Sequence, residues 1–249
     1  MSQDDPTTLP ADAAPASEDP PTTEDSSSGE PPETPESAGA ASPTQLPTGV
    51  DALDDHLDGG LYPGDVVALL ADPTSQAELL LARIAGAGPT LYLTFQRTPE
   101  AVRRSLARLG VTGSPDGQDE GEQAHEGPAI DERLEVRALD PEDPVASVRE
   151  HVLGLDGPTT VIVDPATGLE AADGPALWDL LSAASAHLAT VGGYLVCHCL
   201  RGPNPPGGRD SLTYMADVVF LLETDYGLER IENHLLVPKR RGGRPGPPA

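Results

Sequence analysis

The chain has 249 residues with a formal net charge of -26 at pH 7, and 3% of its residues are aromatic. Length of this order suits one ordinary domain plus an extension, and blanket acidity argues against nucleic acid binding over the whole surface, which needs clustered Lys or Arg. Lys239 is the only lysine, and this balance points to a salt-saturated cytoplasm and a halophilic archaeal source. At molar salt the Debye length is about 3 Å, so the acidic surface repels itself little and says little about partners.

Residues 1–44 hold ten acidic residues and nine prolines with no Lys or Arg. Such a segment buries too little apolar surface to offset its ordering entropy, so a disordered acidic, proline-rich tail is expected. The start, MSQDDPTT, has neither the basic nor the apolar region of a signal peptide, and no apolar run of membrane-spanning length follows. A cytoplasmic protein without a membrane association is expected. Cys197 and Cys199 are the two cysteines, too few for a disulfide framework.

The folded part should begin near residue 45. Thr48 is placed to cap a short helix over about Val50 to Leu57, with Gly59 and Gly60 as its left-handed stop. VVALL, from Val66, reads as a buried parallel strand, followed by a turn and a helix over Glu78 to Gly86. A strand from Thr90 to Phe95 and a helix from Pro99 to about Leu109 come next. Residues 113–129, acidic and without periodicity, read as a surface loop. A strand over Leu134 to Leu139, a helix over Pro144 to Leu153 and a β-branched strand over Thr159 to Asp164 follow. The last helix, about Gly174 to Thr190, carries a broad leucine stripe, with Trp178 read as core or interface. GGYLVCHCL returns as a strand, a proline-glycine loop runs from Arg201 to Arg209, and MADVVFLLET and LERIENHLLVPK read as a hairpin about Asp225-Tyr226-Gly227. Residues 244–249 read as a flexible tail. The alternation predicts an α/β fold, a mostly parallel sheet with helices on both faces and antiparallel strands at one edge.

Cys197, His198 and Cys199 have the softness zinc prefers. On a strand, however, the cysteines face one way and His198 the other, so buried sheet residues and no metal site are expected.

Thr48-Gly49-Val50, Leu53-Asp54, Gly59-Gly60-Leu61 and Pro63-Gly64 ahead of the first strand resemble the opening of the RecA superfamily, in its archaeal RadA/KaiC-like branch. TLYLTFQRTPEAV resembles that branch's second strand and helix, VIVD its Walker B strand, and Ala216-Asp217 with the hairpin ending in Lys239-Arg240-Arg241-Gly242 its C-terminal edge. The likeness spans about Leu46 to Gly243 and implies a RecA-like P-loop NTPase core.

The phosphate loop is degenerate. Where the family has G-x-x-x-x-G-K-[ST], the first glycine falls on Ala71, the second on Gln76, the lysine on Ala77 and the hydroxyl residue on Glu78. Side chains replace glycines that allow close backbone approach, Ala77 has no charge for a phosphate, and Glu78 puts a carboxylate where a helix N-terminus would welcome an anion. The family's water-activating acid is also gone, since Phe95-Gln96-Arg97 stands where it has a Phe-Glu-Glu type ending, and neither Gln96 nor Arg97 can accept a proton at neutral pH. Asp164 matches the magnesium-holding aspartate and reads as a remnant.

Lys239 and Arg241 resemble basic residues that reach a neighbouring subunit's nucleotide. The resemblance therefore implies a pseudo-ATPase that binds protein partners, itself or ATP-competent relatives, without ATP or magnesium. Two other readings stay open: an unconventional ATPase using Asp164 with Lys239 or Arg241, and a DNA recombination accessory protein contacting single strands through Arg240, Arg241 and Arg244.

Overall fold

The computed structural model describes residues 44–110, 133–227 and 230–242. The expected tail at 1–44 (apart from Thr44), the acidic loop at 113–129 and the C-terminal tail at 244–249 lie outside these residues. The chain is α/β. Its sheet has seven strands in the order β3-β2-β4-β5-β1-β6-β7: β1 (Val66–Ala71), β2 (Thr90–Thr94), β3 (Leu134–Ala138), β4 (Thr160–Val163), β5 (Tyr194–Leu200), β6 (Val218–Tyr226) and β7 (Ile231–Arg240). All neighbours pair in parallel except β6 and β7, which form the antiparallel edge hairpin.

Helices cover both faces because the inner strands are apolar on both sides. On one face α1 (Asp51–His56), α2 (Ala77–Gly86) and α3 (Pro99–Arg108) pack over Val67, Leu69, Tyr92, Ile162, Val196 and Phe220. On the other, α4 (Pro144–Leu153), α5 (Thr167–Glu170), α6 (Gly174–Val191) and α7 (Arg209–Met215) pack over Val66, Ala68, Leu93, Val163, Leu195 and Cys197. Fully burying a Leu or Val is worth about 1.5–3 kcal/mol, so these two apolar layers dominate the stability of the fold. Local chemistry fixes the helix starts: Thr98 accepts from Ala101 N at 3.3 Å and Asp143 from Ala146 N at 3.1 Å, each followed by proline at the first helical position.

Three expectations need correcting. Thr48 does not cap α1, whose N-cap is Val50 without a side-chain bond. Instead Thr48 is buried, and its N and Oγ1 donate to Asp54 Oδ1 at 2.8 and 2.7 Å, so the helix reaches back to hold the chain before it. Trp178 is 47% exposed and is not core: it sits on the flank of α6 beside the inward stripe of Leu177, Leu180 and Leu181. Two short helices, α5 and α7, stand where no helix is expected, α7 running from the end of the expected proline-glycine loop to Met215, the first residue of the expected strand MADVVFLLET.

Entry into the sheet depends on glycine. Gly60 has φ +120°, and a Cβ there would meet Leu46 O at 2.2 Å, in the bridge where Leu46 N donates to Leu61 O at 2.7 Å and Leu61 N returns to Leu46 O at 2.9 Å. Gly60→Ala is expected to lower stability by about 1–3 kcal/mol, read as a lower denaturation midpoint in urea at molar KCl.

Candidate functional site

In an open α/β sheet the ligand crevice lies beyond the carboxyl ends of the strands, and here β1 ends in the turn Asp72-Pro73-Thr74-Ser75-Gln76. Ala71 is fully buried at the end of β1 and Ala77 is buried at the start of α2, while Gln76 and Glu78 are exposed. The turn is held from within by Ser75 N to Asp72 O at 2.9 Å. It is also fastened to the edge hairpin. Thr74 Oγ1 and Tyr226 OH are 2.8 Å apart, Tyr226 OH also donates to Thr74 O at 3.3 Å, and Asn233 Nδ2 donates to Gln76 Oε1 at 2.9 Å.

Glu78, in the first turn of α2, pairs with Arg97. Arg97 Nη1 lies 3.2 Å from Glu78 Oε1, while Nη2 donates to Ser105 Oγ at 2.6 Å and Ala101 O at 3.3 Å. One guanidinium from the β2–α3 connection thus ties α2 to α3. With Glu78 more than half exposed, the ion pair alone is worth about 0.2–1 kcal/mol. Gln96 is exposed beside it.

Asp164 follows β4, two strands from β1 with β5 between them. The parallel register sets Val163 against Cys197, and the next step brings Asp164 against His198. Asp164 Oδ1 is 2.5 Å from His198 Nδ1, and Tyr92 OH donates to Oδ2 at 2.5 Å. Each carboxylate oxygen therefore has a side-chain partner. Burial pushes the Asp164 carboxyl up, but the hydrogen bond and charge of His198 and the hydrogen bond from Tyr92 outweigh it and hold its pKa below the usual value. Burial, together with the adjacent Asp164 charge, raises the Tyr92 phenol well above its ordinary value. His198 Nε2 is buried without a partner among the described residues.

The sequence marks His198 only as a buried residue facing away from the two cysteines, and nothing in it singles out Tyr92. Their strands show the right face parity, but only the register places them on Asp164. The arrangement offers a phosphate no lysine, and it offers magnesium a carboxylate already engaged at both oxygens, so these residues do not fit a magnesium-phosphate group. Cys197 and Cys199 are fully buried on the opposite face, where burial pushes the Cys197 thiol up to about 12. Among the described residues no group of three or more His, Cys, Asp or Glu is arranged to hold a metal ion.

Lys239 and Arg241 lie elsewhere. Lys239 pairs with Val219, which stands against Ala68 near the start of β1, three residues or about 10 Å short of Ala71 at 3.3 Å per residue. Its Nζ donates to Thr213 O at 2.9 Å and Tyr214 O at 2.7 Å, capping the C-terminus of α7, and sits 5.8 Å from the Tyr214 ring centroid. Arg241 Nη2 donates to Tyr214 O at 3.0 Å, and its Nη1 is 3.5 Å from Asp217 Oδ1. Within one chain these two cations serve the amino end of the sheet, and the turn and Asp164 serve the carboxyl end.

Residues 45–248 match the model of DUF7125, described as a family of unknown function. The chain belongs to this family. The DUF7125 match takes in every site residue above, from the turn after β1 to Arg241, and leaves the acidic N-terminal segment outside. No curated protein matches the chain. No helix among the described residues is long and apolar enough to cross a membrane.

Proposed function

We propose that this chain is a RecA/KaiC-like pseudo-ATPase: a cytoplasmic regulatory or interaction module that binds protein partners, itself or ATP-competent relatives, and turns over no nucleotide. One observation carries the reading. The aspartate that would hold magnesium is bound at both oxygens by Tyr92 and His198. Support comes from the strand order, in which β5 lies between the turn-bearing β1 and the aspartate-bearing β4, and from the Glu78–Arg97 pair where a phosphate would need a lysine and a hydroxyl. The alternative of an unconventional ATPase drawing Lys239 or Arg241 onto its own phosphate is disfavoured by their place at the amino end of the sheet.

In this reading the partner contact is the function, and Lys239 and Arg241 are the residues to test for reach into a neighbour's site. Alone, the purified chain is expected to release no phosphate from Mg-ATP above the buffer rate at molar KCl. Added to an ATP-competent relative, it is expected to change that relative's turnover, and Lys239→Ala with Arg241→Ala to remove the change. Phosphate release by the chain alone, abolished by Asp164→Asn, would overturn the proposal. Unchanged partner turnover would remove its regulatory half.

A further inference from the structure

Along α2, Gln76, Leu79, Leu80 and Arg83 fall on one stripe at helical spacing. That stripe faces the β6–β7 ladder where Leu222 pairs directly with Leu235. Between them lies a groove of about 450 Å³, also lined by Gly49, Val50, Asp51 and Asn233, within the roughly 300–1,000 Å³ typical of small-ligand sites. Its middle is apolar: Leu80 and Leu222 are buried, Leu235 is half-buried, and Leu79 is left 40% exposed on the solvent flank of α2. Its two ends differ. Gln76 and Asn233, bonded to each other at 2.9 Å, stand at one end. At the other, Arg83 in the last turn of α2 meets the chain entering α1, since a Cβ on Gly49 would touch Arg83 O at 2.5 Å. Asp51 opens α1 there. Neither the Asp51 carboxylate nor the Arg83 guanidinium has an oppositely charged partner within 4.0 Å among the described residues, although both line this groove.

We infer that the groove binds a free α-amino acid with an apolar side chain, its carboxylate on Arg83, its ammonium on Asp51 and its side chain against Leu79, Leu80, Leu222 and Leu235. One anionic and one cationic group at the same end of an apolar slot match the paired charges of that head group and leave an uncharged body for the slot. A ligand so placed lies between α2 and the hairpin, on the side of the groove away from the Gln76–Asn233 hydrogen bond that closes its other end. The inference stands apart from the pseudo-ATPase reading, because none of these contacts involves Asp164, Glu78 or Arg97.

Calorimetric titration of the full chain with L-leucine and L-phenylalanine, at the lowest KCl that keeps it folded, tests the assignment. Saturable binding of at least one is expected. It should weaken about tenfold or more for 4-methylpentanoate, which lacks the ammonium, and for isoamylamine, which lacks the carboxylate, because each removes a charge-assisted hydrogen bond. Arg83→Gln and Asp51→Asn, both exposed substitutions, should each bring a similar loss with the melting temperature of the free protein unchanged. Absence of saturable heat with both amino acids, equal binding of the truncated analogues, or displacement by adenosine would overturn it.

Discussion

Asp164→Ala is expected to cost about 3–5 kcal/mol of stability. The side chain is 6% exposed and sits between Tyr92 OH and His198 Nδ1, each 2.5 Å away. Truncation leaves two buried polar groups without partners at about 1–3 kcal/mol each, and a cavity. Tyr92→Phe, which removes one hydrogen bond and little volume, should cost about 1–2 kcal/mol. The pH dependence carries a sign. Because the folded state holds the Asp164 carboxyl below its ordinary pKa, this stabilisation is complete above the ordinary carboxylate value and is lost as pH falls through the folded pKa. Urea denaturation at fixed molar KCl should therefore show a gap between wild type and Asp164→Ala at pH 7 that narrows as pH falls below the ordinary carboxylate range. A gap under about 1 kcal/mol at pH 7 would mean that Asp164 is no structural linchpin and is freer than its bonds imply.

Glu170→Ala should be as severe for a different reason. Glu170 is fully buried on α5 and receives both Arg209 Nε and, at 3.0 Å, Arg209 Nη2, while Arg209 Nη2 also donates to Leu200 O at 2.8 Å. The backbone packs as closely, since Gly208 N donates to Glu170 O at 2.8 Å and a Cβ on Gly208 would stand 2.5 Å from that oxygen. Removing one member strands a buried charge, at about 3–5 kcal/mol. Replacing both, as Glu170→Leu with Arg209→Met, should recover most of the loss, because well-packed apolar residues often equal or exceed a buried ion pair. Denaturation midpoints of the single and double variants decide it, and a double variant no better than Glu170→Ala would show that the pair also specifies how α5 and α7 meet at the end of β5.

Those two clusters mark where sequence reading stopped. The strands and long helices are legible because period-2 and period-3.6 patterns are local and Pro99 and Pro144 punctuate them, but Asp225 and Tyr226, expected in the hairpin turn, instead pair with Glu232 and Ile231 at the end of the β6–β7 ladder. α5 and α7 were not legible. Four and seven residues are too few for a period, and Leu212 is the only apolar residue of α7 that is buried. Asp164 was recognisable as an acid ending a β-branched strand, but its partners sit 72 and 34 residues away on other strands. Register, which no local pattern encodes, brings them together. Likewise the residue types at Ala77, Glu78, Gln96 and Arg97 are legible one by one, whereas the ion pair between Glu78 and Arg97 depends on α2 and α3 lying side by side. The clasp from Tyr226 and Asn233 onto the turn needs the hairpin folded first. For Lys239 and Arg241 the resemblance implies reach toward a neighbour, whereas their bonds to the α7 carbonyls, which no local pattern shows, are the role seen within this chain.

In the proposed reading, the place a nucleotide would occupy is already satisfied by the protein's own side chains. Isothermal titration of Mg-ATP into the full chain at molar KCl, with Mg-ADP in parallel, tests it most directly. The account predicts no saturable heat with either nucleotide up to about 1 mM, an affinity no better than about -4.1 kcal/mol. A micromolar dissociation constant that weakens on Asp164→Asn would contradict it.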